Sequence, residues 1–165
     1  MAAPQVAAVG AMMRTLNPYA SLSDVLTTLK LTAQRPAGTA WTPDLGWGIL
    51  NAGAALDAIR RVDRLAPVSQ VRAPGTTRRR SFTVTWSGHD RQAPGLIASG
   101  IARYEIYVQT NGGTPRLIAI TSGHALRFHA RPGARYVFFA VAIDRAGNRE
   151  QNAPGVTTRV ARRAR

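Results

Sequence analysis

The sequence has no cysteine, no lysine other than Lys30, and only 8 acidic residues among 165. Without cysteine there are no disulfide frameworks, thiolate zinc sites, CxxC redox motifs or cysteine nucleophiles. Compartment stays open on that evidence. No apolar run approaches the roughly 20 residues of a spanning helix. The opening stretch, Met1 to Met13, lacks the basic segment that precedes the apolar part of a secretory leader, and its first charge is Arg14. No signal peptide is expected in it. What is abundant is arginine, which supplies all but one of the 22 basic side chains and a net charge of +14; a bias of that kind follows from GC-rich coding. Hydrophobic residues at 45% suffice for a packed core and exclude wholesale disorder.

Charge and periodicity change together near Ala66-Pro67. Residues 1–66 carry six basic and four acidic groups, a net of +2, and residues 67–165 carry sixteen and four, a net of +12. Apolar spacing is helical before that point and alternates after it. Proline also disfavours helix in the residue before it. Three helices are expected in the first half. The first runs over 3–15, with Pro4 in its first turn, where a missing N–H costs nothing. Val6, Ala7, Ala8, Val9, Ala11, Met12 and Met13 make it apolar on every side. The second opens on a capping box, Ser21 with Asp24, and has its stripe at Leu22, Val25, Leu26 and Leu29. Asn51 caps the third, which turns Ala55, Leu56, Ile59 and Val62 inward. Two single-faced helices cannot cover one that is apolar all round, so residues 1–66 read as a piece of a larger domain.

Residues 67–160 read as an antiparallel sandwich of about seven short strands, with 161–165 as a basic tail. Ser81 to Trp86 alternates with Phe82, Val84 and Trp86 inward. Residues 101–109 put Tyr104, Ile106 and Val108 on one face, and Asn111-Gly112-Gly113 marks the turn into 116–121. Leu126 with Phe128, then 135–144 and 155–161, complete the set. In 135–144, Val137, Phe139, Val141 and Ile143 fall on the outer face, and an exposed apolar row is expected there as a contact surface.

Met1-Ala2-Ala3-Pro4, the small-residue helix behind it, Asn17-Pro18, and Leu45-Gly-Trp-Gly-Ile-Leu-Asn51-Ala52 resemble, in order and spacing, the end of the catalytic domain of subtilisin-like serine proteases. The family patterns are Gly-Thr-Ser-Met-Ala-x-Pro and Gly-x-Gly-x-Val-Asn-Ala. The resemblance spans about 60 residues. It implies that the nucleophilic serine immediately precedes Met1, that the triad's Asp and His lie earlier still, and that Met1, Ala2, Ala3 and Pro4 are scaffold beside the nucleophile. It implies a helical remnant of an α/β domain from a secreted or cell-envelope endopeptidase. Its partners would be the missing part of the catalytic domain and a protein substrate. Loss of nucleophile and base costs such enzymes about six orders of magnitude, so no proteolysis is expected from this chain alone. The second half is similar to fibronectin type III and related immunoglobulin-like modules, on Phe82 to Gly88 with Asp90, Ser99 to Val108, and Tyr136 to Asn148.

Two other readings stay open: a stand-alone binding module with a helical appendage, and a basic nucleic-acid binder. Against the latter, neither Arg78-Arg79-Arg80 nor the terminal arginines interleave aromatics or sit on a groove-reading helix. A polyanionic cell surface is a further partner on charge alone. His89, His124 and His129 lack metal-site spacing and read as surface histidines; Ser122, His124 and Asp144 carry no triad signature. Asp90, Asp144 and Asn148 are weak calcium candidates, because that ion takes six to eight oxygens and Asx turns account for the same residues. No other cofactor is expected.

Overall fold

The structure, a computed structural model, describes residues 3–36 and 41–162. They form two compact units, Met1–Leu65 with Gln92–Ser99, and Ala66–Arg91 with Gly100–Arg165.

In the first unit, α1 (Ala3–Leu16), α2 (Leu22–Thr32) and α3 (Ala52–Ile59) enclose a small core of Val9, Met13, Ala20, Val25, Ala55 and Ile59. Both expected N-caps are present. Ser21 accepts from the Asp24 N–H at 3.1 Å while the Asp24 carboxylate accepts from the Ser21 N–H at 2.7 Å. Asn51 Oδ1 accepts from the Ala54 N–H at 3.1 Å. Each satisfies helix-end donors that otherwise lack partners. Between α2 and α3 the chain returns through a paired bridge, Gln34 with Ile49. Gly48, at φ +105°, fits there because a Cβ would run into the Gln34 carbonyl.

The second unit is a two-sheet sandwich. One sheet has the order β1 (Val68–Arg72), β3 (Ser81–His89), β6 (Ala125–His129). The other is ordered β2 (Thr76–Thr77), β8 (Val156–Val160), β7 (Arg135–Asp144), β4 (Ile101–Thr110), β5 (Arg116–Thr121). Alternation places Phe82, Val84 and Trp86 of β3 against Tyr104, Ile106 and Val108 of β4 and Tyr136, Phe138, Ala140 and Ala142 of β7. Phe128 stands edge-on to Phe138 and Tyr136, each at 4.9 Å between ring centres. Trp86 donates its indole N–H to the Gly123 carbonyl at 2.7 Å, and the Tyr136 hydroxyl accepts from the Arg131 N–H at 2.9 Å. That last bond, from the start of a strand back to the preceding loop, resembles the tyrosine corner of immunoglobulin-like sandwiches. Asn111 (φ 49°) and Gly112 (φ 80°) give the β4–β5 turn the two positive dihedrals of a tight hairpin.

Three expectations need correction. The sandwich is not seven antiparallel strands: the described residues form eight, β1 and β2 had no counterpart in the alternation, and β2 pairs parallel to β8. The outer row of β7 is not an exposed surface. Val141 and Ile143 are buried, Val137 and Phe139 half-buried, and the backbone at Gly155 lies directly on Val137 and Phe139. The α2 stripe is only partly used: Val25 is buried, but Leu22 is 68% exposed and Leu26 46%.

Candidate functional site

At the amino end of α1, where the family resemblance puts the scaffold of a nucleophile, Ala3 and Pro4 are exposed; Met1 and Ala2 lie outside the described residues. Only Val9 and Met13 of the fourteen α1 residues are buried. Val6, Ala7, Ala8, Ala11 and Met12 face solvent. Elsewhere in the unit Leu31 and Ile49 are each 73% exposed, and Trp41, Leu45 and Trp47 are exposed as well. Val6 of α1, Leu26 and Leu29 of α2, and Ala33, Trp47 and Leu50 line a mainly apolar hollow of about 230 Å³. The Lys30 ammonium lies 4.9 Å from the Trp47 ring centre. So many large apolar side chains in the wet within one small unit are unusual for a monomer.

In the sandwich, the calcium candidates come together where β3 and β7 end. Asp90 accepts from the Gly100 N–H at 2.6 Å, and carboxylate oxygens of Asp90 and Asp144 lie within 4.8 Å of one another. Asp144 accepts from Asn148 twice, from its backbone N–H at 2.8 Å and its side-chain amide at 2.7 Å. Asn148 therefore turns its amide donor toward Asp144, as in an Asx-type turn.

Beside them is a hollow of about 320 Å³ lined by His89, Asp90, Tyr104, Ser122 and His124. Both histidines are exposed, and the His124 ring packs edge-on against Tyr104 at 5.6 Å. Burial, and secondarily the negative charge of Glu150, raise the Tyr104 phenol above its ordinary value, so it stays protonated at neutral pH. Ser122 and His124 have no hydrogen bond to Asp144, whose described partners are the Asn148 donors and backbone groups.

Neither the buried Glu150 nor the Glu105–Arg149 pair had a sequence signal, and the arginine cleft had one only as a run. Glu150 is buried: it accepts from the Ser69 N–H at 2.8 Å and the Ala142 N–H at 3.0 Å, and the Ser69 hydroxyl lies between its Oε2, at 2.6 Å, and the Ala140 carbonyl. Ser69 and Glu150 line a groove of about 550 Å³ together with Gln70, Ser87, His89, Gln151 and Asn152. At the opposite end of the sandwich, Arg78, Arg79 and Arg80 line a cleft of about 540 Å³ with Ser81, Pro132 and Ala161. Along β4, Glu105 is held below the usual carboxylate range, chiefly by its hydrogen bond from Arg149 at 2.8 Å.

No protein-family model matches the chain, and no curated protein matches it. Among solved structures, it is similar to the fibronectin(III)-like modules of CbhA from Clostridium thermocellum, with 14% identity over 59% of this chain and 48% of that one, at a TM-score of 0.45. A β-1,2-glucanase from Parabacteroides distasonis is similar at 20% identity over 62% of this chain and 14% of that one, at a TM-score of 0.42. The chain thus spans about half of the first of these and a small part of the second.

Proposed function

We propose that residues 1–66 are the closing segment of the catalytic domain of a secreted subtilisin-like serine endopeptidase, and that residues 67–160 are a fibronectin III-like accessory module of the same protein. The carrying observation is the wet apolar surface of the helical unit. Twelve of the fourteen positions of an almost wholly apolar α1 escape burial, which is the condition of a helix whose surrounding walls belong to other residues. The motif resemblance names those walls. The segment's role is to hold the helix behind the nucleophile, where N–H groups and the helix dipole favour developing negative charge. The chain supplies no Asp-His-Ser set and hydrolyses no peptide by itself.

The in-frame coding sequence upstream of Met1 tests the parentage: a Gly-Thr-Ser with earlier Asp and His segments is expected, and a stop codon there overturns it. In the purified chain, α1 amides should exchange fast and a hydrophobic dye should bind. Slow exchange between Val6 and Met13 in a compact monomer would remove the carrying observation.

A second reading, a free-standing binding module with a helical appendage, is favoured by the sandwich. Its core closes on residues of its own unit, with aromatic rings from both sheets. A stop codon directly before Met1 would favour this reading.

A further inference from the structure

We infer that the arginine-rich end of the sandwich is a binding surface for an acidic polysaccharide, one carrying sulfate or carboxylate groups along the chain. Sequence showed only a basic run and a basic terminus. The fold joins them and adds others. Arg80 accepts from the Ala130 N–H through its carbonyl, which places the 78–80 run beside Arg131. Arg127 reaches Ser81, donating to its hydroxyl at 2.8 Å. Arg162 lies over Gly133, and Arg135 and Arg159 are register partners on β7 and β8. All of these arginines are exposed, and none has an ion pair among the described residues.

The unit's carboxylates are elsewhere. Asp90 follows the far end of β3, Asp144 ends β7, Glu150 bonds to β1 near its start, and Glu105 is paired with Arg149. Codon bias enriches arginine everywhere, but it does not clear the carboxylates from one end, and the arginines at the other, Arg91, Arg145 and Arg149, sit beside acidic groups there. It also does not account for Arg135 opposite Arg159, a like-charged cross-strand pair that destabilises the sheet.

The cleft of about 540 Å³ lies in the ordinary range of ligand sites, roughly 300–1,000 Å³. Guanidinium forks match sulfate and carboxylate oxygens two at a time. Nucleic acid fits less well, since Phe82 and Tyr136 are buried in the core and Phe128 half-buried, which leaves the single exposed ring of His129, opposite Ser81, where base stacking uses successive rings. A bilayer fits less well too, because the cleft offers only Pro132 and Ala161 as apolar contacts.

The test titrates the full chain against labelled heparin, which is sulfated, and polygalacturonate, which is carboxylated, at low and high salt. Salt-sensitive binding to at least one is expected, and which one identifies the anion. The triple variant Arg78→Ser, Arg79→Ser, Arg80→Ser should bind about tenfold or more weakly. A triple variant at Arg72, Arg103 and Arg145, which removes equal charge from outside the cleft, should bind almost as the parent does. Arg135→Ser with Arg159→Ser should weaken binding while raising the melting temperature, and this separates lost contacts from lost fold. The inference is overturned if neither polymer binds at low salt, if both triples weaken binding equally, or if single-stranded DNA or phosphatidylglycerol vesicles bind more tightly than either polysaccharide. None of these outcomes bears on the protease parentage.

Discussion

The side-chain amide of Asn17 donates to the Ile59 carbonyl at 2.9 Å and to the Val62 carbonyl at 2.8 Å, closing the carboxyl end of α3 from 42 residues away. Its own carbonyl accepts from the Tyr19 N–H at 3.2 Å, and the residue has no solvent exposure. Helix ends leave carbonyls without partners, and here one buried side chain serves two of them. Asn17→Ala should therefore lower the stability of the helical unit by about 2–4 kcal/mol. Loss of amide protection over Ala55–Ile59 would report it. Asn17→Asp should cost more, because it turns a carboxylate oxygen toward the same carbonyls. Unchanged protection in both variants would show that α3 is held by packing alone.

Acid should loosen the start of α2 through Asp24. Asp24 is lowered to about 2, above all by its hydrogen bonds from Arg64, the shorter at 2.6 Å, with the Ser21 cap adding to them. A carboxylate depressed in the folded state stabilises fully above its unfolded value, near 4, and that stabilisation is lost as pH falls from about 4 to about 2. Arg64 keeps its charge throughout. Arg64 stands half in solvent, which screens the pair, so the loss is on the order of 1 kcal/mol. Helical circular dichroism should fall over that window in the parent and stay flat there in Asp24→Asn, which starts from the lower value.

What the sequence made legible follows from whether a residue's partner is apolar or nearby. Phe82, Val84 and Trp86 announced β3, because alternation alone tells which side faces the core. Ser21 with Asp24, and Asn51, announced their helices because a cap is a local event. β1 was silent because Ser69 shares its inward face with Val71, leaving one apolar inward residue in five, and the partner of Ser69, Glu150, lies 81 positions away. Two-residue β2 has too few side chains for any period. The outer row of β7 misled for a related reason: what covers Val137 and Phe139 is backbone at Gly155, and a glycine has no hydropathy pattern to show. The basic end was half visible, as runs of arginine whose convergence only the β3–β6 and β7–β8 registers create.

The Ser69–Glu150 pair should therefore resist a substitution that sequence pattern favours. Ser69→Val would give β1 the alternation of a half-buried strand, yet it removes the hydroxyl between Glu150 and Ala140 and leaves a buried carboxylate short of a donor. A loss of about 2–3 kcal/mol in urea unfolding of the sandwich is expected. Glu150→Ala should cost about 2–4 kcal/mol, since the Ser69 and Ala142 N–H groups lose their acceptor in the interior. Glu150→Gln retains one acceptor oxygen and should fall between Glu150→Ala and the parent. A Ser69→Val variant as stable as the parent would mean that the pair adds nothing apolar packing cannot replace.

Gly155 gives the sharpest steric test. A Cβ there would stand 2.5 Å from a ring carbon of Phe139 and 2.9 Å from a methyl of Val137, closer than folded proteins tolerate. Its φ lies outside the left-handed region, so an alanine at this position is opposed by contact and not by backbone strain. Gly155→Ala should cost about 1–3 kcal/mol by forcing the segment off the sheet. Phe139→Leu alone removes buried ring surface and should also destabilise. In the double variant the smaller side chain makes room for the methyl, so the two losses should sum to more than the measured one, with a coupling of at least about 0.5 kcal/mol. Strict additivity would place Gly155 away from Phe139 in solution and would restore the outer row of β7 as an open apolar face.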